Sequence, residues 1–466
     1  RLLPGDDGVS ELTKRQLEVY QVIEENRSLP LQELLQITGT TAPTVRKLED
    51  KGLIEIAPQI SERDPYANEE IVPTQPLTLN PEQAEALEAI NDQPGNYFLL
   101  HGVTGSGKTE VYLQAIAAAL EQGKGAIVLV PEISLTPQTV ERFKARFSSG
   151  PLKTLVAVLH SHLSAGERHD EWHKIRQGRA KIVIGARSAI FAPVEPLGLI
   201  IVDEEHEPSY KQEEAPRYHA RDVAVVRGQR EGATVVLGSA TPSMESYHNA
   251  KRGRYKLLEM PSRADQKQMP LVRVQDMRTE KSKGDQGPPI FSQRLKEAIH
   301  NRLEQGEQTI LFLNRRGFAT SMQCPDCGYV AECPDCSLSL TYHRREQFLR
   351  CHVCGYGAPA PRRCPSEGCG SPKIRFHGMG TEKVEDVLRK LFPNANVTRM
   401  DSDALKRKDD YRRILGDFRR GKIDILVGTQ MIAKGLHFPR VTLVGIVYAD
   451  TGLHLADFRA GERTFQ

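Results

Sequence analysis

Outside one block of 46 residues, this 466-residue sequence has no cysteine. A disulfide framework across the chain is thereby excluded, and a reducing, cytoplasmic compartment is expected. A dominant charge is missing too: 63 basic residues against 60 acidic ones leave a formal charge of only +3. No global field draws the chain to nucleic acid, so any such surface has to be local. No run of 18 apolar residues exists, so no membrane-spanning helix is expected. Fixed-period repeats and low-complexity tracts are absent. The sequence opens on Arg1 and no charged-then-apolar leader follows, so the expectation is a true N-terminus upstream and no secretion.

What is present is ordinary in bulk and specific in detail. Apolar residues make up 39% and charged residues 26%, enough for three or four globular domains over this length. Residues 1–60 read as three short helices and a strand at Leu53 to Ile56, with Gly39 and Gly52 closing the second and third helices. That order resembles a winged-helix domain, with a plain three-helix bundle as the alternative. Residues 61–76 are polar and proline-bearing, hence a linker. From 77 to 260, near-continuous apolar runs such as "NYFLLHG", "GAIVLVPE", "GLIIVDE" and "ATVVLGS" alternate with helical patterns. Such runs mark a parallel sheet buried on both faces. Residues 261–290 form a connector. A second α/β region, 291–323 and 375–466, starts at "QTILFLNRRG" and resumes with "KIRFHGMG", "NVTRMDSD", "KIDILVGT" and "VTLVGIVYAD". The cysteine block, 324–374, interrupts it.

"HGVTGSGKTE" follows a strand and opens a helix, with Gly102, Gly105, Ser106, Gly107, Lys108 and Thr109 in P-loop spacing. Its backbone amides and helix N-terminus suit phosphate oxygens. Lys108 would reach the β- and γ-phosphates, and Thr109 would hold Mg²⁺ with ATP. "LIIVDEEH" supplies the partner carboxylates at a strand end, Asp203 for Mg²⁺ and Glu204 to polarise the attacking water. An acidic strand end facing solvent is the bland alternative, and the P-loop upstream outweighs it.

These motifs resemble those of superfamily 2 helicases, with two RecA-like lobes. Gln83 in "LNPEQAEAL" resembles the adenine-reading glutamine. "LVPEISLTPQ", "GARSAIFAP" and "GSATPS" resemble motifs Ia, Ib and III, while "LFLNRRGFA" and "ILVGTQMIAKGLHFP" resemble motifs IV and V. After the carboxylates, "EPSYKQEEAPRYHARDVA" interleaves Tyr210, Lys211, Arg217 and Tyr218. Stacked bases gain roughly 1–3 kcal/mol each on such rings. The loop resembles the aromatic-rich coupling loop of some superfamily 2 helicases, with a solvated loop whose two tyrosines pack on the lobe as the alternative.

The cysteines fall into Cys-x-x-Cys knuckles. Cys333, Cys336, Cys351 and Cys354 have zinc-ribbon spacing, and the flanking Cys324, Cys327, Cys364 and Cys369 would close a second structural Zn²⁺ site around them. Sequential pairing, first four with last four, is the competing assignment. Nesting is preferred because Cys333 follows Cys327 at six positions, whereas 14 residues separate Cys336 from Cys351. Four residues lie inside the last pair, so its knuckle is expected to be looser. Catalytic zinc is not expected, since eight thiolates fill two closed sites.

Winged helix, motor with "DEEH" and an eight-cysteine insertion in the second lobe together resemble the PriA family of primosomal replication-restart helicases. The resemblance implies ATP-driven 3′-to-5′ unwinding of forked and single-stranded DNA at abandoned forks, in a nucleoid-associated protein. It implies as partners single-strand-binding protein, PriB, DnaT, and the replicative helicase and its loader. A double-stranded DNA translocase, or a DNA-binding adaptor without strand separation, is the competing function. The resemblance also implies a DNA-binding domain before Arg1 and motif VI after Gln466, with the catalytic arginine there. Arg459 and Arg463 are then expected to pack on the sheet.

Overall fold

The structure, a computed structural model, describes residues 12–26, 29–56, 72–131, 137–147, 154–161, 163–266, 268–280, 289–313, 322–343, 346–351, 353–376, 381–401, 408–429, 432, 438–454 and 457–466. The chain divides into two compact units, Arg1–Ala67 and Asn68–Gln466. Within the first, helices α1 (Lys14–Asn26), α2 (Leu31–Thr38) and α3 (Ala42–Asp50) pack around Val19, Ile23, Leu34, Val45 and Leu48. Gly39 ends α2 in a left-handed conformation. The strand expected at Leu53 to Ile56 amounts to a bridge at Ile54. Residues 57–71, where a wing would continue, lie outside the described residues.

In the second unit, lobe 1 alternates helix and strand: α4 (Pro81–Asp92), β1 (Tyr97–Gly102), α5 (Lys108–Glu121), β2 (Gly125–Leu129), α6 (Pro137–Phe147), β3 (Leu155–Leu159), α7 (Ala165–Arg176), β4 (Ala180–Gly185), β5 (Leu197–Asp203), α8 (Ala220–Glu231), β6 (Thr234–Ser239), α9 (Met244–Lys251) and β7 (Lys256–Met260). The strands form one parallel sheet in the order β3-β4-β2-β5-β6-β1-β7. Every residue of β2 and β6 is buried, as strands covered by helices on both faces require. Edge strand β7, "KLLEM", is mostly exposed or half-buried and carries no continuous apolar run, so pattern reading passes over it. Both chemistry-bearing turns leave the carboxyl edge of this sheet, after β1 and after β5, where open α/β sheets bind ligands.

Lobe 2 begins with α10 (Gln293–Glu304) and β8 (Gln308–Leu313), then gives way to the insertion. Strands β9 (Met322–Gln323), β10 (Thr341–His343), β11 (Phe348–Arg350), β12 (Gly357–Pro359) and β13 (Arg375–Phe376) belong to it. "KIRFHGMG" was expected to rejoin the lobe sheet, but its described part, β13, pairs antiparallel with β9 instead. The two form a neck where the chain enters and leaves residues 324 to 374. The lobe resumes with α11 (Thr381–Leu391), β14 (Val397–Met400), α12 (Lys408–Arg419), β15 (Ile425–Gly428), β16 (Val441–Val447) and α13 (Ala460–Phe465). Its four parallel strands run in the order β14-β15-β8-β16 over a core that includes Leu311, Val384, Leu388 and Val427.

Arg459 does not pack on this sheet as expected. Its guanidinium reaches lobe 1 and donates to both carboxylate oxygens of Glu245 on α9. Glu462 accepts from the Met244 N–H at 2.9 Å, at the first turn of the same helix. Arg463 pairs instead with Asp457 in its own lobe. The helix after motif III is thus the part of lobe 1 that these lobe 2 side chains grip.

Candidate nucleotide site and metal cages

The P-loop is built as the sequence implies. Gly107 takes a left-handed conformation (φ 85°) and hands over directly to α5. A Cβ there would collide with the Gln83 amide as well, so glycine is required twice over. Gln83 itself is committed to the loop. Its Oε1 accepts from the Asn80 N–H in the capping box of α4, and its Nε2 donates to Ser106 O at 2.9 Å. Ser106 Oγ is fully buried and has no hydrogen-bond partner among the described residues. Lys108 donates to Gly102 O at 2.7 Å. Burial lowers its pKa, and the charges of Glu204 and Asp203 oppose that shift. One cation, two carboxylates and a glycine turn that opens a helix N-terminus at a sheet edge fit a nucleotide phosphate with its divalent cation. Thr109 opens α5 beside Lys108.

Asp203 is oriented from two sides. Tyr112 on α5 donates to its Oδ1 at 3.0 Å, and Tyr210 donates to its backbone O at 2.7 Å. Burial, then Asp203, pushes both phenols well above their usual pKa, so both stay neutral donors. Gly238 in motif III lets the Tyr112 hydroxyl approach, since a Cβ there would occupy its place. Glu204 sits at φ 47°, a left-handed conformation that costs a non-glycine residue roughly 1–3 kcal/mol. The strain falls on the residue read as polarising water. The third carboxylate, Glu205, is fully buried and accepts from Ser243 N–H (2.6 Å), Ser243 Oγ (2.9 Å), Ser246 Oγ (2.7 Å) and Arg221 (3.1 Å). This network ties motif II to α8 and α9. His206 adds a link to Ser239 at 2.7 Å. Neither Glu205 nor Arg221 stands out in sequence, because a buried ion pair between distant residues leaves no local pattern.

At one position the aromatic loop follows the alternative, a tyrosine packed on the lobe, rather than the strand-stacking reading. Tyr210 cannot stack a base in this structure: it is 0% exposed, with its ring in the lobe 1 core. A large ring following the buried end of β5 gains more from that core than from solvent. Lys211 and Arg217 are exposed, and Tyr218 is half-buried. Lys211 bridges to His219 and Gln212 N–H donates to Tyr218 O, closing the loop at its base. Tyr218 meets the exposed Phe191 edge-on at 5.1 Å. Arg187 fixes the loop by donating to Ser209 O and Lys211 O. Phe191 and Arg187 belong to "GARSAIFAP" but were not singled out; only the fold brings them to the loop. A cavity of about 380 Å³ opens between that segment and the loop. Residues 132–136 of motif Ia, 314–319 of motif IV and 430–431 and 433–437 of motif V lie outside the described residues.

The eight cysteines gather as two nested clusters: Cys324, Cys327, Cys364 and Cys369 in one, Cys333, Cys336, Cys351 and Cys354 in the other. In each, the four sulfurs lie within 4.8 Å of one another. Sγ separations of 3.8 Å (Cys324 to Cys369), 3.5 Å (Cys327 to Cys364) and 3.5 Å (Cys333 to Cys354) are far too long for disulfides. They match the roughly 3.8 Å edge of a tetrahedron with Zn–S bonds of about 2.3 Å. The residue after each knuckle's second cysteine, Gly328, Ser337, Gly355 or Gly370, has positive φ, which turns the chain so that both thiols face one point. The wider Cys364–Cys369 knuckle is no looser: Cys364 N–H bonds Ser371 O at 2.8 Å, as Cys324 N–H bonds Tyr329 O at 2.8 Å. Its extra residues are absorbed by a turn from Cys369 N–H to Ser366 O. The Tyr329 N–H lowers the Cys327 thiol to about 7, whereas crowding by Cys354 first, then burial, pushes Cys336 up to about 12. Four cysteine sulfurs packed this closely around one point fit a tetrahedral cation.

Three family models match stretches of this chain. Residues 80–250 match the family model described as DEAD/DEAH box helicase, 333–359 the PriA DNA helicase Cys-rich region domain, and 374–461 the helicase conserved C-terminal domain. Replication restart protein PriA of Bacillus subtilis (strain 168) is 50% identical over 467 residues, covering 99% of this chain and 57% of that protein. The protein of the same name from Synechocystis sp. is 44% identical, covering 98% of this chain and 55% of that protein. The chain thus spans a little over half the length of these relatives. Among solved structures, RecG bound to a three-way DNA junction is 19% identical with a TM-score of 0.43, covering 94% of this chain and 44% of that one.

Proposed function

The chain belongs to the PriA replication-restart helicase family, and on that premise we propose that it is the motor portion of an ATP-driven DNA helicase that unwinds 3′-to-5′ at abandoned forks and seeds primosome assembly. The observation that carries the reading is the meeting of Lys108, Asp203 and Glu204 at one sheet edge, in a chain whose second lobe holds two four-thiolate cages. Lys108 exchanges the Gly102 carbonyl for β- and γ-phosphate oxygens, while the P-loop amides orient the chain of phosphates. Asp203 and Thr109 would hold Mg²⁺, which supplies charge neutralisation on the phosphates when bound. Glu204 polarises the attacking water. Gln83 reads adenine by giving up its bond to Ser106 O or the one it accepts from the Asn80 N–H.

The strand-binding reading rests on Lys211, Arg217 and Tyr218, joined by Phe191. Tyr210 acts one step inward, carrying movement of the loop to the Asp203 backbone. The cages would hold two structural Zn²⁺ per chain and keep the insertion rigid at its neck. Single-strand-binding protein, PriB, DnaT and the replicative helicase and loader are the proposed partners, in the cytoplasm at the nucleoid. No helix among the described residues is long and apolar enough to cross a membrane.

The test is ATP turnover and strand displacement on forked DNA with the full-length protein. DNA-stimulated hydrolysis with release of the displaced strand supports the reading. Stimulation by duplex DNA without displacement would replace it with a translocase.

A further inference from the structure

The segment leaving β7 folds back over the phosphate loop. Ala264 N–H donates to Gly105 O at 2.9 Å, and Ser262 N–H donates to Glu82 of α4 at 3.1 Å. Gln266 N–H closes the turn on Arg263 O at 3.0 Å. Arg263 is thereby laid against the loop backbone: a Cβ built on Gly105 would stand 3.3 Å from its Nε and 3.5 Å from its Nη2. The guanidinium is paired with Asp265, Nε to Oδ1 at 3.1 Å and Nη2 to Oδ2 at 3.3 Å, as two parallel donors on one carboxylate. The side chains of this pair are 27% and 40% exposed.

We propose that Arg263 is a further nucleotide-binding residue that exchanges the Asp265 carboxylate for phosphate oxygens of a nucleoside triphosphate in the loop. This rests on reading the loop as a nucleotide site. A guanidinium fork that fits a carboxylate fits a phosphate equally well, and it carries its charge at every working pH. The pair it would give up is partly exposed and weak, worth about 0–1 kcal/mol. A triphosphate offers several charges at a spot where Gly105 interposes no side chain. Asp265 then acts as a placeholder, keeping the arginine aimed at the loop before nucleotide arrives.

The experiment displaces a fluorescent ADP from this chain with ATP and, separately, with tripolyphosphate, which has no base. Arg263→Ala is expected to weaken both competitors roughly tenfold, the size of one lost charge-assisted bond. Arg263→Lys should recover part of that loss, and Asp265→Asn should tighten tripolyphosphate severalfold by freeing the arginine. Lys108→Ala serves as the reference that abolishes binding. Unchanged affinity in the Arg263 and Asp265 variants, with Lys108→Ala still abolishing binding, would overturn the proposal and leave the P-loop reading intact. A loss confined to ATP would assign Arg263 to the base and likewise overturn it. No binding by the unaltered chain would remove the P-loop reading and this proposal together.

Discussion

Two regions of this molecule hold their chemistry in opposite ways. The nucleotide edge of lobe 1 stands on seven parallel strands, of which β2 and β6 are buried throughout. Asp203 is already oriented by Tyr112 and Tyr210. The cysteine insertion has no strand longer than three residues among its described ones. Of the ten residues in its buried cluster, four are cysteines, which leaves six to offset the ordering of about fifty residues. In lobe 1 the fold positions the chemistry, whereas in the insertion the chemistry positions the fold.

Substitutions sharpen this contrast. The largest effect is expected for Lys108→Ala, which should abolish measurable ATP turnover of the full-length protein by removing the cation that holds the phosphates. Zinc content should not change; a variant that also lost metal would show that the two regions are not separable. Glu205→Ala removes the buried partner of Arg221, which keeps Asp222 at 3.1 Å, together with the acceptor for three hydrogen bonds from Ser243 and Ser246, and should destabilise lobe 1 by about 3–5 kcal/mol in denaturant titration. An effect below 1 kcal/mol would mean that the Glu205 network is not what joins motif II to α9. Tyr218→Ala should weaken single-strand binding by about 1–3 kcal/mol without altering basal hydrolysis. Unaltered affinity would return the loop to an ordinary surface. The smallest effect belongs to Tyr210→Phe, which removes one hydroxyl and should cost about 0.5–1.5 kcal/mol, seen as a reduced ratio of DNA-stimulated to basal turnover. An unchanged ratio would separate that tyrosine from coupling.

The same contrast explains what was legible in the sequence. A P-loop and an acidic strand end are local patterns, because the strand, glycine turn and helix that form them are contiguous. Cysteine nesting was legible because spacing limits which knuckles can meet. Tyr210 was misread because a tyrosine among cations looks the same whether its ring turns outward or into the core. Its neighbours along the chain do not decide that; the packing around it does. The neck at β9 and β13, the reach of Arg459 to Glu245 and the Glu205 network join residues far apart in sequence, so no window of pattern contains them. β7 was missed because Glu259 interrupts its apolar residues, Leu257, Leu258 and Met260, leaving no continuous run.

The most direct test of the contrast strips zinc with a chelator and follows amide exchange alongside ADP affinity in the same samples. The account predicts that peptides within 322–376 lose protection and regain it on adding Zn²⁺, while those spanning β1, β5 and β6 keep theirs and ADP affinity stays within twofold. Protection retained across the insertion after complete zinc removal, or lobe 1 opening together with it, would contradict the account.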